Sequence, residues 1–146
     1  MGGNNVRIRQ VIADSPWPRW HLLIFTGRSG SESKGVVDMI AVRKDHGDPF
    51  LSSTRRGDAL QIILIQAKGG SAAMPTKDDA VRLRRVARHH GACCTLLAAW
   101  KKGTAAQFYS LDGNSKSGGG WSEKMKLKDL KRVFGRRKEA IKTGLG

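Results

Sequence analysis

Two stretches decide how this chain is read: Gly35-Val36-Val37-Asp38-Met39-Ile40-Ala41-Val42 and, further along, Leu60-Gln61-Ile62-Ile63-Leu64-Ile65-Gln66-Ala67-Lys68. Each is a short apolar run rich in β-branched residues, the composition of a buried strand. Each also carries polar groups that an apolar core does not accept without a purpose, because an isolated buried charge is costly to desolvate and is normally paired or bound to a metal. If the two strands pair, Asp38, Gln66 and Lys68 converge at one place on a sheet. Gln66 and Lys68 are two apart, so their side chains leave a strand on the same face. A carboxylate, an amide oxygen and an ammonium at one end of a sheet suit metal-assisted chemistry on an anionic substrate.

On the N-terminal side, residues 6–13 alternate in a strand-like way, and Pro16 and Pro18 then interrupt any helix. Trp20 to Phe25 reads as a strand or the end of a short helix. Thr26 to Gly35, rich in Gly and Ser, reads as a loop, and Lys44 to Gly57 as a turn region. The lysine-bearing strand stops at Gly69-Gly70. Thr76 to Asp79 then opens the clearest helix, with Thr76 as N-cap, Asp79 as its capping-box partner and Gly91 as C-terminal cap. Its apolar stripe is Ala80, Leu83, Val86 and Ala87; Arg82, Arg84, Arg85 and Arg88 take the remaining surface. Cys93 to Trp100 and Ala105 to Leu111 read as strands and Asn114 to Gly120 as a polar loop. Leu127, Leu130, Val133 and Phe134 give a final basic helix an apolar face.

This order predicts an α/β fold, a mixed β-sheet flanked by helices. The 146 residues fit one domain, 1–146, with a core over about 20–111 and a basic helix and tail over 121–146. The charge is lopsided: 27 Lys and Arg against 12 Asp and Glu give a formal +15. Such an excess favours a polyanionic partner, and nucleic acid leads. No run approaches the roughly 20 apolar residues of a membrane-spanning helix, and the N-terminal residues lack the apolar segment of a secretory signal. The expected location is the cytoplasm, nucleoid-associated in a prokaryote. The two cysteines, Cys93 and Cys94, are adjacent, without disulfide or zinc spacing, and are expected as small buried side chains in a reduced compartment.

Gly27-Arg28-Ser29-Gly30-Ser31, Gly35-Val36-Val37-Asp38, Ile65-Gln66-Ala67-Lys68-Gly69 and the helix–strand unit from Thr76 to Trp100 together resemble the PD-(D/E)XK nuclease superfamily, in particular its Holliday junction resolvase-like branch. The resemblance covers roughly residues 20–111. It implies a restriction-endonuclease-like fold and a DNA endonuclease that hydrolyses phosphodiester bonds with Mg²⁺ or Mn²⁺, branched or structured DNA being the favoured substrate. By the same resemblance Asp38, Gln66 and the Ala67 backbone carbonyl hold the cation, with Glu32 a candidate further ligand. Lys68 orients the nucleophile or stabilises charge developing on phosphorus. Resolvases of that branch act as twofold dimers, which implies a homodimer here. The chain departs from the pattern at Gln66, where the family usually has Glu or Asp, and in lacking an upstream helical Glu.

Each of these residues also has a plainer role available. Asp38 could serve strand-end amides, Gln66 an ordinary hydrogen bond, and Lys68 could extend to solvent. Arg28, Ser29, Ser31 and Lys34, near Asp38 in sequence, are candidate phosphate contacts, as are Arg82, Arg85, Lys101 and Lys102. Asp58 is expected in a turn, and His89 and His90 at a helix C-terminus, where a cation complements the dipole. The competing functions are a non-catalytic nucleic-acid-binding module on a nuclease-like fold and an RNA-associated structural protein.

Overall fold

The computed structural model describes residues 2–15, 19–25, 37–45, 59–69, 75–101, 103–111 and 120–135. Among the described residues three helices and five strands follow in order: α1 (Gly2–Ala13), β1 (His21–Ile24), β2 (Met39–Asp45), β3 (Ala59–Gly69), α2 (Lys77–His90), β4 (Cys94–Trp100), β5 (Gln107–Ser110) and α3 (Leu127–Val133). The strands form one mixed sheet in sequential order. β1, β2 and β3 are an antiparallel meander, β3 and β4 run parallel, and β5 returns antiparallel to β4. The parallel pair needs a crossover, and α2 supplies it. This is the α/β sheet-and-helix architecture the sequence predicts.

β3 lies at the centre. Ile63, Leu64, Ile65 and Gln66 are buried in succession, so both faces of the strand are covered, which explains its continuous apolar run. On one face Met39, Ala41, Ile63, Ile65, Leu96, Ala98 and Phe108 join Ile8 and Val11 of α1, Trp20, Leu130 of α3 and Phe134 in a single core. Burying one such aliphatic side chain fully is worth about 1.5–3 kcal/mol. The core thus draws on residues on both sides of 20–111. Leu64 and Leu97 of the sheet, with Ala80 and Leu83 of α2, are buried outside that cluster. Alternation along β3 and β4 puts Leu64 and Leu97 on the opposite face, beneath α2.

α1 corrects the strand-like reading of residues 6–13. Ile8, Val11 and Ile12 are spaced by three and four, and the helix turns Ile8 and Val11 into the core. Their β-branching weakens helix propensity, but burial of one face overrides it. α2 follows the sequence closely. Asp79 N–H donates to Thr76 Oγ1 at 3.2 Å and Thr76 N–H to Asp79 Oδ2 at 2.9 Å, completing the capping box. Gly91 ends the helix in the left-handed region at φ 67°, where a Cβ would be strained.

Arg43 ties α3 to the sheet. It is buried, with its guanidinium 4.4 Å from the centre of the Trp20 ring, and it donates to Gly135 O at 2.6 Å and to Gln61 Oε1. Trp20 Nε1 donates to Phe134 O at 3.0 Å, and the two rings meet edge to face at 5.6 Å. A cation and an indole N–H thus satisfy carbonyls that the end of a helix leaves open.

Candidate active site

The topology brings one end of every strand together. β1 ends at Ile24 beside Met39, β2 begins at Met39, β3 and β4 finish side by side at Gly69 and Trp100, and β5 begins at Gln107 beside Ala99. Asp38 stands at this end, one residue before β2. The sequence reading had it inside a strand from Gly35; residues 26–36 lie outside the described residues, and the β2 ladder starts at Met39.

The reason is visible in the hydrogen bonds. Asp38 N–H donates to Ile65 O at 3.0 Å, one step off the ladder pairing of Met39 with Ile65. Ala67 N–H, which a continuing ladder would give to a backbone carbonyl, donates instead to Asp38 Oδ2 at 2.7 Å. The Asp38 carbonyl still accepts from Phe25 N–H at 3.0 Å, so the β1 side stays in register. One carboxylate oxygen therefore terminates the β2–β3 ladder, while the second oxygen is not spent on that amide.

That bond sets the Asp38 carboxylate against the residue between Gln66 and Lys68. Gln66 is only 3% exposed and its Oε1 is buried. Lys68 is half-buried on the same face of β3. α2 starts near this end, because it follows β3 and runs back to enter β4 at the other end, where Cys93 N–H donates to Ile62 O at 2.8 Å. The Asp79 carboxyl is held below its usual range, first by its hydrogen bond from the Thr76 amide, then by the Thr76 hydroxyl, with the positive charges of Lys68 and Arg82 adding to this. The site thus combines one carboxylate, a buried amide oxygen, a backbone carbonyl and a lysine.

A hard divalent cation such as Mg²⁺ takes oxygen ligands, often only one or two carboxylates completed by water and substrate phosphates. The Asp38 carboxylate, Gln66 Oε1 and the Ala67 carbonyl are donors of that kind, and they fit such an ion when a phosphate completes the set. Among the described residues no group of three His, Cys, Asp or Glu side chains could hold a metal.

The other residues singled out in the sequence divide clearly. Arg82, Arg85 and Arg88 are exposed on α2, and Lys101 is exposed at the same sheet end as Asp38. Arg84 differs: a Cβ on Gly120 would fall 2.0 Å from Arg84 Nη2, so this guanidinium packs against the backbone at Gly120 rather than facing solvent with its neighbours. Gly120 at φ 77° permits that approach. His89 and His90 close α2 at the end remote from Asp38. Glu32, Arg28, Ser29, Ser31, Lys34, Asp58 and Lys102 lie outside the described residues.

The cysteines need correcting. Neither is in a disulfide, but Cys93 is exposed, because it precedes β4 rather than lying in it. Cys94 is half-buried, and burial, helped by the neighbouring Cys93, pushes its thiol up to about 12. It is a packed, unreactive side chain.

Among the described residues, a mixed α/β sheet carries the Asp38 carboxylate and Lys68 toward the end where β3 and β4 finish. No family model matches the chain, and no curated protein does. Among solved structures it is similar to Hjc, a Holliday junction resolvase from the archaeal hyperthermophile Archaeoglobus fulgidus, at 14% sequence identity and a TM-score of 0.43, over 92% of this chain and 91% of that one. At that identity residue roles do not carry across.

Proposed function

We propose that this protein is a divalent-metal-dependent endonuclease acting on phosphodiester bonds in DNA, with branched or structured DNA as its favoured substrate. The observation that carries the reading is the 2.7 Å hydrogen bond from Ala67 N–H to Asp38 Oδ2, which sets the carboxylate against the Gln66-Ala67-Lys68 segment. Charge supports the substrate class, since +15 over 146 residues attracts a polyanion. The motif order supports the chemistry.

Asp38, Gln66 Oε1 and the Ala67 carbonyl would hold Mg²⁺ or Mn²⁺, which when bound supplies Lewis-acid stabilisation of the phosphate and an acidified water. The chain's own residues do the rest. Ala67 N–H fixes one Asp38 oxygen, so the carboxylate is oriented before substrate arrives. Burial of Gln66 holds its amide in one place on the sheet. The Lys68 ammonium would stabilise negative charge building on the phosphoryl oxygens. A homodimer and a cytoplasmic, nucleoid-associated location belong to the same proposal. No helix among the described residues is long and apolar enough to cross a membrane.

A second reading, a nucleic-acid-binding module without catalysis, is favoured by one observation: Gln66 is neutral, so among the described residues the Gln66–Lys68 segment adds no second carboxylate to that of Asp38. The deciding experiment is nicking of supercoiled plasmid and cutting of a synthetic four-way junction with Mg²⁺ or Mn²⁺, comparing wild type with Asp38→Asn. Metal-dependent cleavage lost in Asp38→Asn is expected. Binding without cleavage by the wild type under every metal condition establishes the module instead.

A further inference from the structure

A cavity of about 350 Å³ opens at the same end of the sheet as Asp38, but on the face carrying α1 and α3. It lies where β5 begins, between that strand, α1 and the segment leading into α3. The volume falls at the small end of ligand sites, which run from about 300 to 1,000 Å³. Its chemistry is divided. Phe108, Met125 and Leu130 give it an apolar floor, whereas Arg7, Lys124 and Lys126 bring three positive charges, and among the described residues none that lines it is acidic. A purely apolar ligand would not need the cations, and a bare inorganic anion would not use the floor. A nucleotide uses both: a flat base with low polarity on its faces, and a phosphate beside it.

Position narrows the choice further. Asp38 precedes β2 and the cavity borders β5, three strand spacings away in the sheet order, or about 14 Å at some 4.8 Å per spacing. That is about four nucleotide rises along a duplex at 3.4 Å each. A strand held at Asp38 reaches the cavity by passing over this end of the sheet from the α2 face to the face carrying α1 and α3. Paired, stacked bases have their faces covered and cannot enter it. We propose that this cavity receives one unpaired nucleotide of the DNA substrate, its base on the Phe108–Met125–Leu130 floor and its phosphate against Arg7, Lys124 and Lys126. The inference rests on the DNA-acting reading and adds the feature by which the protein tells gapped or bulged DNA from a perfect duplex.

The test measures binding in EDTA, so that cleavage plays no part. Fluorescence anisotropy compares a perfect duplex with the same duplex carrying one unpaired thymidine. Wild type should bind the interrupted duplex about tenfold more tightly, the scale a single base–aromatic contact supplies. Ala105, exposed at the cavity, allows a filling variant that spares the core. Ala105→Trp should erase the preference and leave perfect-duplex affinity unchanged within about twofold, whereas loss of general electrostatic binding would lower both. As a measurement independent of any variant, 4-thiothymidine at the unpaired position should photocrosslink wild type at Met125 or Phe108. Equal binding of the two duplexes by wild type, a preference that survives Ala105→Trp, or a crosslink confined to other residues overturns the proposal. Failure of the nuclease reading looks different: no metal-dependent cleavage, with the binding preference intact.

Discussion

Asp38 does two jobs with one carboxylate, and they can be separated. As a structural group it accepts the Ala67 amide that would otherwise end the β2–β3 ladder unsatisfied. As a charge it is the anion of the proposed metal site. Asp38→Ala removes both, leaving a part-buried N–H without its acceptor at a cost of about 1–3 kcal/mol. Asp38→Asn keeps an oxygen for Ala67 and removes only the charge. In urea unfolding the alanine variant should be the less stable of the two, while both should be inactive in cleavage. Equal stability would mean that the amide finds water as readily as the carboxylate. Gln66 makes the complementary test. Calorimetric titration of Mn²⁺ without DNA should show weak binding by wild type and tighter binding by Gln66→Glu, which adds a negative charge at an oxygen-ligand site. No gain would place Gln66 away from the ion. Asp38, Gln66 and Lys68 stand out in the sequence as candidates because polar residues interrupt apolar runs. The hydrogen bond through Ala67 was not legible, because a backbone amide has no signature in a sequence. Nor was the cavity, since Arg7, Lys124 and Lys126 come from segments more than a hundred residues apart.

Among the elements, α2 was the easiest to read, because local chemistry decides it: the Thr76–Asp79 box, the Ala80 and Leu83 stripe and Gly91 all act within a few residues. α1 was misread because its pattern is ambiguous locally, and only contact with the sheet selects the helical spacing of Ile8, Val11 and Ile12. The same contrast separates the arginines of α2. Arg84 packs at Gly120, a neighbour 36 positions away that no helical wheel reveals, whereas Arg82 and Arg85 remain exposed. These two are the ones to change. If both meet duplex phosphates, Arg82→Gln combined with Arg85→Gln should reduce the slope of log affinity against log salt by up to about two units, since each lost phosphate contact releases about 0.9 fewer counterions. An unchanged slope would show that α2 faces away from the DNA. The capping box carries its own pH signature. The Asp79 carboxyl is held below its usual range in the folded state, so its contribution to stability is complete above the unfolded value and is lost as pH falls through the lower, folded one.

At the scale of the whole molecule, the net charge of +15 acts in opposite directions on the free and the bound protein. Free, the cations repel one another and burden the compact state. Added salt screens that repulsion, whose range is about 10 Å at 0.1 M, so the Tm of the free protein should rise with salt. Bound, the same cations neutralise phosphates, and DNA that binds only the folded state stabilises it by mass action. At a free DNA concentration a hundred times the Kd the gain is about 2.7 kcal/mol, or about 5–10 °C in Tm for a chain of this size. Salt weakens that binding steeply through counterion release, so the DNA-bound Tm should fall as salt rises. Thermal melts of the protein with and without junction DNA, from 50 mM to 500 mM salt, should therefore converge. Asp38→Asn should converge in the same way, because it removes one anion and leaves every cation in place. A DNA-induced rise in Tm that stays constant across this range would mean that contacts other than phosphate neutralisation dominate binding, and the basic surface would lose its assigned role.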